Sequence, residues 1–418
     1  METLHSLTGY VALLALAWVL GSRRGPIPWK TVAVATGLQL AVAVVLLKTG
    51  LRDSVFGLVG GLTDLLRQTA LKANESLLFS GITNPEFAAQ YGPVVALEIG
   101  AILIFVASLS RLLYHYRILP WIIGVLSRFM QKVLGISAAE SVGVSANVFL
   151  GMTEAPLLVR PYIAGLTQSE LFCLMVGGMA TIAGTVMVIY ASMLTAVHPD
   201  IAGHLFTASL ISAPAAIAVA KLMLPENGVP QTAGATIDLP RDDTVNGLDA
   251  AARGAAEGMQ LLLNVLAMLI SFIGLVALAN ALVGLVDGWI NGQAVGWSLQ
   301  AAAGQIFRLP AWLMGIPWSE SAQVGQLLGL KTVLNEFVAY FELSGRMSGE
   351  APLSERSFLI ASYALCGFAN FGSVAIMIGG IGGIAPERRG DLARLGLRSL
   401  LGGTIATMLT GCIVGIFS

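Results

Sequence analysis

Between residues 258 and 286 the chain carries no Asp, Glu, Lys or Arg. That run exceeds the ~20 apolar residues that cross a hydrocarbon core as a helix, so it commits the chain to a bilayer. Within lipid, every backbone N–H and C=O must find its partner inside the protein, and a continuous apolar run meets that demand as a helix. The rest of the chain agrees. Only 11% of its residues are charged, against roughly 25% in soluble domains. The net charge of −1 offers no basic surface for nucleic acid. The sequence therefore reads as an all-α polytopic membrane protein.

Taken in order, residues 7–21 form an apolar run whose basic flank (Arg23, Arg24, Lys30) follows rather than precedes it. A cleaved secretory signal has its charge first, so this reads as a retained span, with its N-terminus expected outside. Residues 31–47 are the second span, residues 49–92 a mixed polar connection, and residues 93–113 the third span. Residues 118–136 pair apolar positions with Trp121, Arg128, Gln131 and Lys132, the pattern of a helix lying in the interface. Further spans follow at 168–195, interrupted by Gly-Gly at 177–178 and Ala-Gly-Thr at 183–185, and at 205–224, with Pro214 inside. A polar linker covers 225–250, and 258–286 is the longest clean apolar helix. Residues 297–318 are amphipathic and broken by proline. Residues 356–381 are interrupted at 367–373, and 399–417 form the last span. Three cysteines (Cys173, Cys366, Cys412) and four histidines (His5, His115, His198, His204) lie scattered, without disulfide or metal-ligand spacing.

Two stretches do not belong among clean spans. Residues 147–162 and 317–342 mix Asn, Thr, Glu, Lys and Pro with apolar residues. Unsatisfied polar groups in hydrocarbon each cost several kcal/mol, so such a stretch lies outside the membrane or lines a polar cavity within it. If 137–162 and 317–342 dip in and return as re-entrant hairpins, eight segments cross. The basic loops at 22–30 and 386–398 then share one face. The positive-inside rule makes that face the cytoplasm, with both termini outside.

The chain also repeats. Asn147 and Phe149 recur as Asn335 and Phe337, and Gly178, Ala180 and Thr181 are echoed by Gly367, Ala369 and Asn370. Each unit couples a semi-polar stretch to a glycine-interrupted span. The second interrupted span is the third span after the first, an odd step, so the units lie antiparallel. Inverted repeats with discontinuous helices are a transporter signature. The chain divides into N-terminal helices at 1–90, a first repeat at 91–224, a cytoplasmic linker at 225–250 and a second repeat at 251–418.

The candidate chemistry sits on these units. Glu154 and Glu336 are acids at membrane depth, where an unpaired carboxylate costs ~2.5–3.5 kcal/mol even on lenient scales. Each is either functional or a structural carboxylate, capping a broken helix or paired with Lys331 or Arg160. A carboxylate accepts both O–H donors of a vicinal diol, which suits a sugar. Asn370 and Ser373 add neutral donors and acceptors on an unwound segment, or satisfy its turn. Asn147 and Thr181, with freed carbonyls such as those of Leu150 and Ile182, offer hard oxygens to a small cation such as sodium. A helix-capping Asn is the plainer reading of Asn147. Phe368 fits a core as well as a substrate platform, and Glu98, a lone acid in the third span, has no evident partner.

These same residues resemble the concentrative nucleoside transporter family. Residues 151–162 (Gly-Met-Thr-Glu-Ala-Pro-Leu-Leu-Val-Arg-Pro-Tyr) are similar to its first acidic block, and residues 328–340 to its second. Residues 366–380 and the loop at 385–391 are similar to its C-terminal signature. The resemblance runs from about residue 90 to the end, and the first two spans fit the layout of bacterial members. It implies a homotrimer with eight spans per protomer, an interfacial helix and two re-entrant hairpins in a bacterial cytoplasmic membrane. It implies sodium-coupled nucleoside uptake, or proton coupling in some members, with no organic cofactor. By that resemblance Gly151, Met152, Thr153 and Val186 meet the base. Glu154, Glu336, Asn370 and Ser373 meet the ribose, and Phe368 lines the pocket. Asn147 and Thr181, with the carbonyls of Leu150 and Ile182, hold sodium.

Two positions depart from the family pattern. Met152 replaces the usual Gln and removes an amide contact to the base, because a thioether is at best a weak acceptor. A base preference different from that of Gln-bearing members is expected. Thr181 replaces Ser and keeps the hydroxyl. From another class, a membrane-embedded hydrolase would use the two carboxylates as acid and base, but the usual nucleophile and metal motifs are missing. An open channel fits poorly with hairpins and an inverted repeat.

Overall fold

The computed structural model describes residues 2–22, 27–73, 95–291 and 298–418, and all regular structure among them is helical. Helices α1 (Glu2–Leu20), α2 (Trp29–Lys48), α3 (Leu51–Ala73) and α4 (Val95–His115) lead into α5 (Ile118–Leu134). A first helical hairpin consists of α6 (Ala138–Asn147), a 3₁₀ turn (Ala155–Val159) and the short α7 (Arg160–Ile163). Then come α8 (Gln168–Ala180), α9 (Gly184–Leu194), α10 (Ile201–Met223) and α11 (Gly247–Asn291). Helix α12 (Leu299–Leu313) precedes a second hairpin, α13 (Trp318–Val333) and α14 (Glu336–Met347). The chain closes with α15 (Glu355–Leu365), α16 (Phe371–Ile384) and α17 (Arg389–Phe417).

Among the described residues, seven segments are long and apolar enough to cross a membrane: Glu2–Leu20, Trp29–Lys48, Ala96–His115, Gln168–Leu194, Ile201–Met223, Gly247–Val286 and Pro386–Phe417. The centre of the molecule is α10, α17 and α8, buried nearly all round, with α1 against α17, α2 against α10 and α15 against α17. Helix α11 is the opposite case. It packs along α4 by a small-residue seam, where a β-carbon on Gly254 would lie 2.7 Å from the Ala107 carbonyl and one on Gly258 2.7 Å from Ile104 Cα. Its 45 residues correspond to about 67 Å of helix, and it leaves Ile270, Leu275 and Leu285 exposed.

The helix starts explain why these residues stop and restart where they do. Thr167 and Glu170 form a reciprocal capping box at α8. Ser137, Ser354, Asn335 and Asn370 each accept a backbone N–H as N-caps of α6, α15, α14 and α16. The last two caps sit where the chain breaks inside apolar surroundings.

Several expectations need correction. Residues 51–73 are not a polar connection but helix α3, which packs on α10 with Phe56 over Gly203 and Arg52 bridged to Asp200 at 3.3 Å. Residues 74–94, the rest of that connection and the start of the third span, lie outside the described residues, as do Arg23 and Arg24. Gly177 and Gly178 do not interrupt their span. They stay helical in α8, and the break falls at residues 181–183. Proline does not break residues 299–313 either, because α12 runs through Pro310 and ends three residues later, ahead of Gly315 at φ 101°. The linker is held down: Arg111 bridges Asp242 at 2.8 Å, Gln131 donates to the Ala235 carbonyl, and the Thr232 carbonyl accepts from Ala138. A guanidinium–carboxylate bond from Arg253 holds the Asp243 carboxyl below its usual range, and helix α11 has already begun at Gly247.

Candidate substrate and ion site

Two interrupted helices meet at the centre. Helix α8 stops at Ala180 and α9 resumes at Gly184, while α15 stops at Leu365 and α16 resumes at Phe371. The breaks abut: the Phe368 N–H donates to the Thr181 carbonyl at 3.3 Å, and a β-carbon on Gly367 would lie 2.9 Å from the Met179 carbonyl. Each hairpin brings its tip to this junction. The Gly184 N–H donates to the Phe149 carbonyl at 3.0 Å, and the Asn370 amide reaches Glu336.

Glu336 is the first residue of α14, set there by the Asn335 cap that accepts the Val338 N–H at 3.0 Å. It is only 5% exposed. The Tyr190 hydroxyl donates to its Oε1 at 2.7 Å, and Asn370 Nδ2 donates to its Oε2 at 3.2 Å. Asn370 cannot rotate freely, because its Oδ1 accepts the Ser373 N–H at 2.7 Å. Each Glu336 oxygen retains a lone pair for a further O–H donor. No cation forms an ion pair with Glu336 or Glu154 among the described residues, so the structural pairing with Lys331 or Arg160 is not made.

The first tip is built differently. Glu154 is exposed, and its Oε2 accepts one backbone bond, from Gly151 at 3.2 Å. Gly178 lets the tip close on α8: a β-carbon there would lie 3.0 Å from Met152 Cβ and 3.2 Å from Met377 Cε. Thr153 crosses onto α16, where a β-carbon on Gly380 would lie 3.1 Å from its Cγ2. Val186 is buried in the first turn of α9, and Phe368 is half-buried at the second break. Asn147 ends α6, is 2% exposed, and donates from Nδ2 to the Gly143 carbonyl at 2.9 Å. Its Oδ1 is buried with no hydrogen-bond partner. Thr181 donates to the Gly177 carbonyl at 2.9 Å, leaving its oxygen lone pairs open. Leu150 and Ile182 flank them, also buried and outside any helix.

The tip from Asn147 to Glu154 meets the first break, with its Thr181, Ile182 and Val186, through Met152 on Gly178 and Phe149 on Gly184, while Thr153 touches α16. Glu336, Phe368, Asn370 and Ser373 lie at the second break. The two glutamates share no hydrogen-bond partner. Sequence reasoning missed Tyr190, whose hydroxyl is a polar group inside an otherwise apolar run of α9.

Over residues 204–415 the chain matches the family described as Na+ dependent nucleoside transporter C-terminus, and over 8–73 its N-terminal counterpart. Residues 96–197 match a gate region described as nucleoside recognition. The chain belongs to the sodium-dependent, or concentrative, nucleoside transporter family. That is a family of transporters, not of enzymes. The nucleoside permease NupC of Helicobacter pylori is 36% identical, over 100% of this chain and 98% of that protein. Sodium/nucleoside cotransporter 1 of Rattus norvegicus is 34% identical, over 99% of this chain and 64% of that one. Among solved structures, the transporter CNTnw in an inward-facing, substrate-bound state superposes with a TM-score of 0.92 at 37% identity, covering 100% of this chain and 98% of the other. A variant of CNTnw in an outward-facing state superposes equally well, with a TM-score of 0.92. Between wild type and variant, CNTnw thus adopts both inward- and outward-facing states.

Proposed function

We propose that the protein is a sodium-coupled secondary active symporter that takes up nucleosides across a bacterial cytoplasmic membrane by alternating access. The observation that carries the ion is the buried Asn147 Oδ1, an amide oxygen without a hydrogen-bond partner at the end of α6. A buried acceptor left unmatched costs about 1–3 kcal/mol, and a cation removes that cost. On this reading the Thr181 hydroxyl and the Leu150 and Ile182 carbonyls complete the set, the hard oxygens that sodium takes.

On this reading Glu336, Asn370 and Ser373 hold the ribose hydroxyls, with Glu154 joining them when the first tip closes. Gly151, Met152, Thr153 and Val186 face the base, and Phe368 lines the pocket. Helices α15 and α16 together make an eighth span beside the seven span-length segments. The two hairpins re-enter from opposite faces, and both termini lie outside. The exposed apolar length of α11 supports a homotrimer contact. The two repeats, 91–224 and 251–418, pack as inverted units joined by a cytoplasmic linker.

Radiolabelled uridine and adenosine uptake into proteoliposomes tests this, with an inward sodium gradient, with an inward proton gradient, and with neither. Sodium-stimulated uptake is expected, and the ratio of the two nucleosides reports how Met152 sets base choice. Uptake driven by protons without sodium would overturn the ion assignment, and no uptake of either nucleoside would overturn the substrate.

A further inference from the structure

A helix that ends inside a membrane leaves its last carbonyls without partners and carries a partial negative charge there. Two helices end this way beside each other, α8 and α15, and they are treated differently. The end of α15 is satisfied by the protein. Lys331, 1% exposed in the last turn of α13, donates from Nζ to the Ala364 carbonyl at 2.9 Å and to Thr407 Oγ1 at 3.0 Å. The Tyr340 hydroxyl donates to the Ser362 carbonyl at 2.7 Å, and Thr410 donates to the Tyr363 carbonyl at 3.4 Å. No carboxylate forms a direct ion pair with Lys331 among the described residues; its hydrogen bonds all go to the helix end and to Thr407, while Glu336 feels its charge only at a distance. Among the described residues, no lysine or arginine donates at the end of α8. The Thr181 hydroxyl reaches only the Gly177 carbonyl, and the neighbouring Asn147 Oδ1 is unmatched.

We propose that Lys331 is a resident cation. Its ammonium does permanently at the end of α15 what a transported sodium does reversibly at the end of α8. One break is therefore ion-dependent, the other is not, and a single sodium accompanies each substrate. This rests on the sodium reading above. Lysine suits the role as a compact charge on a flexible stem with three donors. Replacing it with a shorter neutral oxygen ligand vacates room for an ion and leaves the α15 carbonyls to bind it.

The test is equilibrium binding of uridine and adenosine to the purified protein as sodium is varied, with choline holding ionic strength constant. Binding linkage makes the log–log slope of apparent affinity against sodium count the ions taken up with the nucleoside. The wild-type slope is expected to approach one. Lys331→Asn is expected to approach two, binding about tenfold or more weakly at low sodium and recovering at high sodium. Lys331→Arg keeps the charge and the slope of one. A wild-type slope of two overturns the proposal without any variant, which covers the case in which Lys331→Asn does not fold. A folded Lys331→Asn protein whose slope stays at one, or that no sodium concentration restores, also overturns it. A wild-type slope of zero removes the sodium reading and this inference together, whereas a slope of one with an unresponsive Lys331→Asn removes this inference alone.

Discussion

The two hairpin tips carry a glutamate each, and the glutamates live in different surroundings. Glu336 is buried, its two oxygens each held by a neutral side-chain donor, and one of those donors is itself locked by Ser373. Glu154 is exposed and held by one backbone N–H of its own tip. The first is a preorganised acceptor whose position does not wait for substrate. The second has a single backbone partner, and its tip also contains the unmatched oxygen of Asn147. One tip is thus finished without ligands, and the other is completed by them. On the sodium reading proposed above, that division suits coupling: the tip with the unmatched oxygen is the one that takes the ion and closes over the substrate.

The sharpest way to break the comparison is at Glu336. Glu336→Gln keeps the shape but turns one acceptor oxygen into a donor facing the donors of Tyr190 or Asn370. Hydrogen bonds to charged groups contribute ~1.5–3 kcal/mol each, and two are affected. Uptake should fall by on the order of 100-fold or more, with the variant still monodisperse and thermally stable. Uptake near wild type would show that the finished tip is not the substrate anchor.

Asn147→Ala attacks the unfinished tip. It removes the unmatched oxygen and the bond to Gly143 together. The expected signature is lost sodium stimulation, with the half-saturating sodium concentration raised by about tenfold or more and binding at saturating sodium retained. A wild-type sodium response would move the ion away from this tip.

Accessibility sharpens the contrast directly. The native cysteines Cys173, Cys366 and Cys412 are fully buried, so background thiol labelling is low. Glu154→Cys should react quickly with a small hydrophilic maleimide and be protected by nucleoside plus sodium. Glu336→Cys should react far more slowly, and equal rates would erase the distinction.

Much of this was legible in the sequence, and the exceptions have physical causes. The spans and both semi-polar hairpins follow from apolar runs and from the cost of polar groups in lipid. Gly177 and Gly178 misled because glycine costs roughly 1 kcal/mol in a helix interior. Here packing overrides that propensity, since side chains at those positions would press on Val144 and Met152. Helix α3 was hidden because its apolar residues form one stripe among Arg, Asp and Gly, and its partner surface on α10 is far away in sequence. Lys331 was visible as a charge in a semi-polar stretch. Its partners Ala364 and Thr407, 33 and 76 positions away, were not.

Tyr190 is the residue on which the comparison between the tips can be tuned most finely. It lies on α9, which belongs to the interrupted span of the first break, yet its hydroxyl serves the carboxylate of the second hairpin, 146 positions away. Its ring stacks on Tyr340 with centroids 4.6 Å apart, so Tyr190→Phe keeps the packing and deletes one donor. The loss of one bond to a charged acceptor predicts nucleoside affinity lower by about tenfold, with the sodium dependence unchanged. That is the smallest of the expected effects and the most selective. A shift in sodium dependence instead would mean that the finished tip feels the ion, and the two halves would then be one site and not two.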